Sequence, residues 1–206
     1  MLLQKTKIYI FDNKERFGLE TVQKYRIFVS LLSRNRMIQY IENEAHYNDV
    51  ISLAEKVKHS LWIGTADIKD IYVKRKTRTS PFLEVLDELI KRGVCVRLIH
   101  AKEPGVNFRT DFDKYPALWN NLERVLCPRV HFKLMIFDLE TAYIGSANLT
   151  GAGLGMKGVN NRNFEAGLLT NEPAIVDRAI NQFDTLWIGK HCKACKRKIY
   201  CNDQIK

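Results

Sequence analysis

Apolar and polar positions along the chain switch between two periods, and the switches mark its elements. Residues 130–137 alternate with period two, placing Val130, Phe132, Leu134 and Ile136 on one face and predicting a strand. A second strand is expected over 141–145, returning antiparallel after a turn at 138–140. Residues 37–41, 61–64 and 94–99 read as further strands, 61–64 as a buried one. Helical spacing governs 49–59, where Asn48 is the expected cap and Val50, Ile51, Ala54 and Val57 the apolar face. Ser80 followed by Pro81 predicts another helix start with proline at the first helical position, and Gly93 its end. Its core face is Phe82, Leu83, Val85, Leu86, Leu89 and Ile90. Residues 117–126 predict a helix, as do 172–187, where Ile175, Val176, Ala179, Ile180, Phe183 and Trp187 share one face. Residues 7–11 suggest a short strand and 19–33 a ragged helical pattern. Helices and strands alternate through the middle, so the fold class is α/β, with a mixed sheet because of the hairpin.

The chain has 206 residues, enough for one domain with a sizeable core and a small appendage. We divide it into an N-terminal extension (1–36), a main domain (37–188) and a basic, cysteine-containing tail (189–206). Its 33 Lys and Arg against 23 Asp and Glu give a formal charge of +10, which favours a polyanionic partner. Nucleic acid is the first such partner and an anionic membrane surface the competing one. The densest basic run is 69–79, with Lys69, Lys74, Arg75, Lys76 and Arg78, either a solvated loop or a track for a phosphate backbone. Lys5 and Lys7 are not followed by the apolar run of a secretion signal, and no apolar stretch is long enough to predict a membrane span. Five cysteines without a signal point to a reducing, cytoplasmic setting, where clustered thiols bind metal more often than they pair.

The chemistry concentrates around the turn at 138–140. His131-Phe132-Lys133, then Asp138, then Gly145-Ser146-Ala147-Asn148 set an imidazole, an ammonium, a carboxylate and a carboxamide around one hairpin. On an extended strand the α-carbons of His131 and Lys133 lie about 6.6 Å apart, so one phosphate can meet the imidazole at phosphorus and the ammonium at oxygen. The pattern His-x-Lys-x4-Asp-x6-Gly-Ser-x-Asn resembles the HKD signature of the phospholipase D superfamily, and Asn163-Phe164-Glu165 resembles the Asn-x-Glu strand that follows it there. The resemblance covers about residues 94–187 and implies a sheet sandwiched between helices. It also implies a second motif histidine as the acid that protonates the leaving group. A second candidate, His100-Ala101-Lys102, has Asn107 at the aspartate position. Glu103, Pro104 and Gly105 end its strand and no Gly-Ser-x-Asn follows. A chain with one motif is therefore expected to form a homodimer with the active site on the two-fold axis.

The roles expected are His131 as nucleophile, Lys133 and Asn148 as ligands of the nonbridging oxygens, and Ser146 as a further hydrogen-bond donor to substrate. Glu165 is expected to accept the other imidazole proton and fix the tautomer of His131. Asp138 lies opposite His131 in strand parity, leaving either direct catalysis or a structural turn role. Fixed cations make a catalytic divalent metal unnecessary. In the tail, Cys192, Cys195 and Cys201 form C-x2-C-x5-C, with His191 or Cys127 as a fourth metal ligand. Structural zinc and a 4Fe-4S iron–sulfur cluster both remain open, the spacing being similar to that of terminal cluster cysteines in some DNA repair enzymes and nucleases. The leading function is a nuclease, the runner-up a lipid phosphodiesterase of the phospholipase D type, and the third a nucleic-acid binding module without catalysis.

Overall fold

The computed structural model describes residues 36–69, 71–74 and 78–201; the elements expected at 7–11 and 19–33 lie outside the described residues. Nine strands are described: β1 Ile38–Glu42, β2 Ser60–Thr65, β3 Tyr72–Lys74, β4 Thr79–Pro81, β5 Cys95–His100, β6 Glu123–Leu126, β7 Lys133–Phe137, β8 Thr141–Gly145 and β9 Ala166–Thr170. Seven of them form a mixed sheet in the order β1-β9-β8-β7-β2-β5-β6, and β3 and β4 make a separate two-stranded ribbon. β2, β5 and β6 run parallel, whereas β7 pairs antiparallel with both β2 and β8.

The alternation in the central strands explains why the sheet is covered on both faces. Leu61, Ile63, Met135 and Phe137 point to one core layer, shared with helix α2 (Phe82–Lys91) and with α1, which comprises His46–Ile51 and Ser52–Ala54. Trp62, Leu134, Ile136 and Ala142 point to the other, where α5 (Pro173–Trp187) lays down Val176, Ala179, Ile180, Phe183 and Trp187. Val130 and Phe132 join the α5 layer, as the period-two pattern requires. No helix among the described residues is long and apolar enough to cross a membrane.

Four boundaries depart from the sequence pattern. The expected strand 130–137 begins only at Lys133, because its ladder partner β8 ends at Gly145, opposite Lys133, and residue 131 finds nothing to pair with. The helix expected over 49–59 starts at His46, is wound as a π-helix through Ile51 and stops at Ala54; Asn48 lies inside it and caps nothing. Ser80 and Pro81 close β4, and Pro81 is the N-cap of a helix that begins one residue later. The helix expected over 117–126 is split: α4 runs Pro116–Asn121, Leu122 turns extended, and 123–126 add to the open edge of β5, where Arg97 pairs with Glu123 at 2.7 Å. A further helix, α3 (Val106–Phe112), follows Gly105.

Candidate active site

The sheet topology brings one end of every strand of the large sheet to a single edge. The C-terminal ends of β2, β5 and β6 (Thr65, His100, Leu126) lie beside the N-terminal end of β7 (Lys133), the C-terminal end of β8 (Gly145) and the N-terminal end of β9 (Ala166). Lys133 is opposite Gly145, so His131 to Lys133 enter the edge where Ser146 to Asn148 leave it. The exposed His131 imidazole makes no hydrogen bond among the described residues, whereas Lys133 is buried and donates to the His131 carbonyl at 2.8 Å. A buried ammonium costs free energy unless bonded, and that carbonyl supplies one partner while leaving further N–H donors for an oxyanion.

Two glycines make room for this arrangement. A Cβ at Gly64 would collide with the Phe132 ring, so β2 must be bare there for the lead-in to pass over it. Gly145 and Gly167 face each other across β8 and β9, and a Cβ on either would run into Tyr143, whose buried side chain lies over both. The glycine of the Gly-Ser-x-Asn turn is thus set by Tyr143.

Asn148 is held by Thr65 and Asp67, which belong to no motif in the sequence. Its side-chain oxygen accepts from the Asp67 N–H at 3.1 Å and from the Thr65 hydroxyl at 3.5 Å, and Thr65 also accepts from the Leu149 N–H at 3.2 Å. Glu165 accepts from Ser146 Oγ and, at 3.0 Å, from Asn163 Nδ2; it makes no hydrogen bond to His131, contrary to the expected tautomer-fixing contact. Ser146 Oγ in turn accepts from the Ala166 N–H at 3.0 Å, so its lone pairs are turned toward β9. His46, too, belongs to no motif in the sequence. It is fully buried, its Nδ1 lies 3.1 Å from the Asn43 carbonyl, and its ring meets Tyr143 edge-on at 5.6 Å. Burial holds its pKa below the ordinary value, against opposing pulls from the Asn43 carbonyl and the charge of Glu165.

Asp138, for which catalysis and a structural turn role were both open, lies far from this edge. It sits in the turn at the other end of β7, about 23 Å along the chain from His131 if extended. With φ at 51°, its carboxylate accepts from the backbone N–H groups of Lys58 (2.9 Å), His59 (2.7 Å) and Ser60 (2.9 Å). That is a clamp between the β7–β8 turn and the start of β2. His100, of the triplet His100-Ala101-Lys102, is fully buried with Nδ1 2.8 Å from the Lys102 carbonyl, which removes it as an accessible acid.

The basic run reaches the site at its start. The exposed Lys69 donates its backbone N–H to the Leu149 carbonyl at 3.0 Å, one residue beyond Asn148. Lys102 pairs with Asp67 at 3.2 Å on the same rim, and Lys74 and Arg78 are exposed on the β3–β4 ribbon. Arg75 and Lys76 lie outside the described residues. In the loop 151–163 the glycines serve turn geometry: Gly155 has φ of 68° against the Asn43 carbonyl, and Leu154 is buried beneath it.

The tail folds back under the same end of the sheet. Cys127, Cys192, Cys195, Cys201 and His191 all line one cavity of about 120 Å³, with Arg129 and Lys198 at its wall. No disulfide joins the cysteines, and among the described residues no three His, Cys, Asp or Glu side chains converge closely enough to hold a single ion.

Comparison with known proteins agrees with this geometry. Residues 49–187 match the family model described as cardiolipin synthase, PLD-like domain. No curated protein shows significant sequence similarity to the chain. Among solved structures, NucT from Helicobacter pylori superposes with a TM-score of 0.56 at 16% identity, covering 74% of this chain and 96% of its own. Nuc from Salmonella typhimurium, a phospholipase D family member, gives 0.54 at 19% identity, covering 74% and 95%. TrmBL2, an archaeal chromatin protein with a novel mode of DNA binding, gives 0.51 at 13%, covering 82% and 60%. The family match covers the motif hairpin and every strand of the large sheet except β1, and the chain belongs to the PLD-like domain family of the phospholipase D superfamily.

Proposed function

We propose that the chain is a homodimeric phosphodiesterase that cleaves nucleic acid through a phosphohistidine. The observation that carries this reading is the pairing of Lys133 with Gly145, which puts the exposed His131 imidazole, a buried ammonium and the Ser146–Asn148 turn on one sheet edge. A neutral His131 nitrogen attacks phosphorus; the bond to the leaving oxygen breaks, and that oxygen takes a proton from the His131 imidazolium of a second chain. Water then attacks phosphorus, the P–N bond breaks, and the second imidazole takes the water proton. Lys133 and the Asn148 Nδ2 donor stabilise the charge on the nonbridging oxygens. Glu165 acts as a positioning group for Ser146 and Asn163, and Asp138 is structural. Protein cations supply the charge stabilisation, so the mechanism requires no divalent ion.

A second copy has a surface to occupy. α5 leaves the outer part of its sheet face bare: Ile38 (63% exposed) and Tyr40 (67%) on β1 adjoin Leu168 and the exposed Ile144, and Phe164 is 95% exposed where the chain enters β9. This strip runs to the site edge. A two-fold contact across it is self-complementary, and the single motif requires a second histidine.

Nucleic acid is favoured over lipid by the exposed Lys69 and Lys102 on the rim, which share the single carboxylate of Asp67 and so leave net positive charge there, since neutralising successive phosphates releases counterions. The lipid reading rests on the matched family's description as cardiolipin synthase. The two are separated by incubating the purified protein, in excess EDTA, with labelled DNA, RNA and phosphatidylglycerol vesicles. Cleavage of a nucleic acid that weakens steeply with salt supports the reading; turnover of phospholipid alone, or activity only after adding magnesium, overturns it.

A further inference from the structure

We propose that Cys127, Cys192, Cys195 and Cys201 ligate a 4Fe-4S cluster that fastens the C-terminal tail to the segment leading into His131. Cys127 follows β6 and the other three follow α5, yet all four line the same cavity of about 120 Å³. They are four of the five cysteines in the chain, and none is in a disulfide.

The spread of the cysteines around the cavity favours a cluster over a single ion. A tetrahedral zinc site draws four sulfurs to about 2.3 Å of one ion and leaves no room between them. Here no three ligand side chains among the described residues gather that tightly, and the four cysteines stand around an open cavity instead. A cubane fits such a space because each sulfur meets its own iron at a corner rather than a shared central ion. His191 lines the cavity too, but it adjoins Cys192, and one ion cannot take both without strain.

The surroundings suit thiolates. Cys195 Sγ accepts from the Arg197 N–H at 3.4 Å and from Arg129 Nη1 at 3.7 Å, and Lys198 is in the wall. N–H groups and cations directed at cysteine sulfur are what stabilises a thiolate-bound cluster. Assembly releases the thiol protons to solvent. The tail also needs a staple: no residue from 188 to 201 is buried, and its one regular element is a 3-10 turn at Lys198–Tyr200. The opposite anchor matters for catalysis. Cys127 donates its N–H to the His100 carbonyl at 2.8 Å and accepts from the Val130 N–H at 2.9 Å, so fixing Cys127 fixes the turn that delivers His131.

The test is analysis of the full chain purified anaerobically from iron-replete cells. About four irons and four acid-labile sulfides per chain are expected, with broad visible absorption that dithionite bleaches. Cys127→Ser and Cys195→Ser should each lower the iron content at least tenfold, while Cys95→Ser, at the other end of β5, should retain it. Zinc in place of iron overturns the cluster, and wild-type protein with neither metal overturns the site. Both outcomes are read on the unmutated chain, so a variant that fails to fold does not obscure them.

Discussion

Replacing Asp138 separates a fold clamp from a catalytic group. Its carboxylate bonds to the N–H groups of Lys58, His59 and Ser60, of which those of His59 and Ser60 are partly buried and that of Lys58 is exposed. Hydrogen bonds to a charged group contribute about 1.5–3 kcal/mol each when their partner is left unsatisfied. Water replaces the exposed one, and the two partly buried donors share one carboxylate oxygen, which makes them less than additive. Alanine adds roughly 1 kcal/mol for the left-handed φ of 51°. Asp138→Ala is therefore expected to cost about 3–5 kcal/mol and, for a domain of this size, to lower the melting temperature by roughly 10 °C. Asp138→Asn keeps an acceptor and tolerates the same φ, so its cost should be about 1–2 kcal/mol. Thermal and urea melts give the stability, and kcat on a labelled oligonucleotide well below the melt gives the chemistry. A hundredfold fall in kcat with an unchanged melt would refute the structural assignment.

Lys133→Ala should lower kcat on an oligonucleotide by about 10²–10³ with little change in KM, as for the removal of one oxyanion donor; a rise in KM alone would make Lys133 a binding residue. Tyr40→Glu on the bare face of β1 should shift the protein from dimer to monomer in sedimentation and reduce activity with it; a dimer that persists moves the interface elsewhere. His46 predicts a pH dependence of stability. Its pKa is depressed in the fold by burial, so below about pH 6.5 the unfolded chain binds the extra proton and stability falls as pH drops. His46→Gln should flatten the difference between urea melts at pH 7.5 and 5.5, and an unchanged slope would refute it.

What could be read from the sequence was what a local period or a fixed spacing encodes. The α5 face appears in the fold because Val176, Ala179, Ile180, Phe183 and Trp187 repeat at helical intervals, and the β7–β8 hairpin because its two strands are short and joined by a tight turn. Boundaries failed where another strand decides them. Residues 123–126 look helical alone, but the free edge of β5 gives them a ladder; His131 leaves the strand because β8 offers nothing opposite it. The shared edge of His131, Lys133, Ser146 and Asn148 was legible because they lie at the facing ends of two adjacent strands; their roles rest on the proposed mechanism. Thr65 and Asp67 were not, since only the long-range antiparallel pairing of β2 with β7 brings them beside the hairpin. Nor was His46, whose solitary ring carries no pattern until Tyr143 covers it.

The proposed mechanism turns on a covalent bond between His131 and phosphorus. It is tested by mixing excess protein with an oligonucleotide radiolabelled at the scissile phosphate, in EDTA, and quenching within one turnover under alkaline denaturing conditions that preserve phosphohistidine. A labelled protein band is expected in wild type, stable to base and lost in acid, and absent from His131→Asn, which should also show no cleavage. Cleavage by wild type with no labelled protein at any time, or cleavage by His131→Asn at a comparable rate, would contradict it.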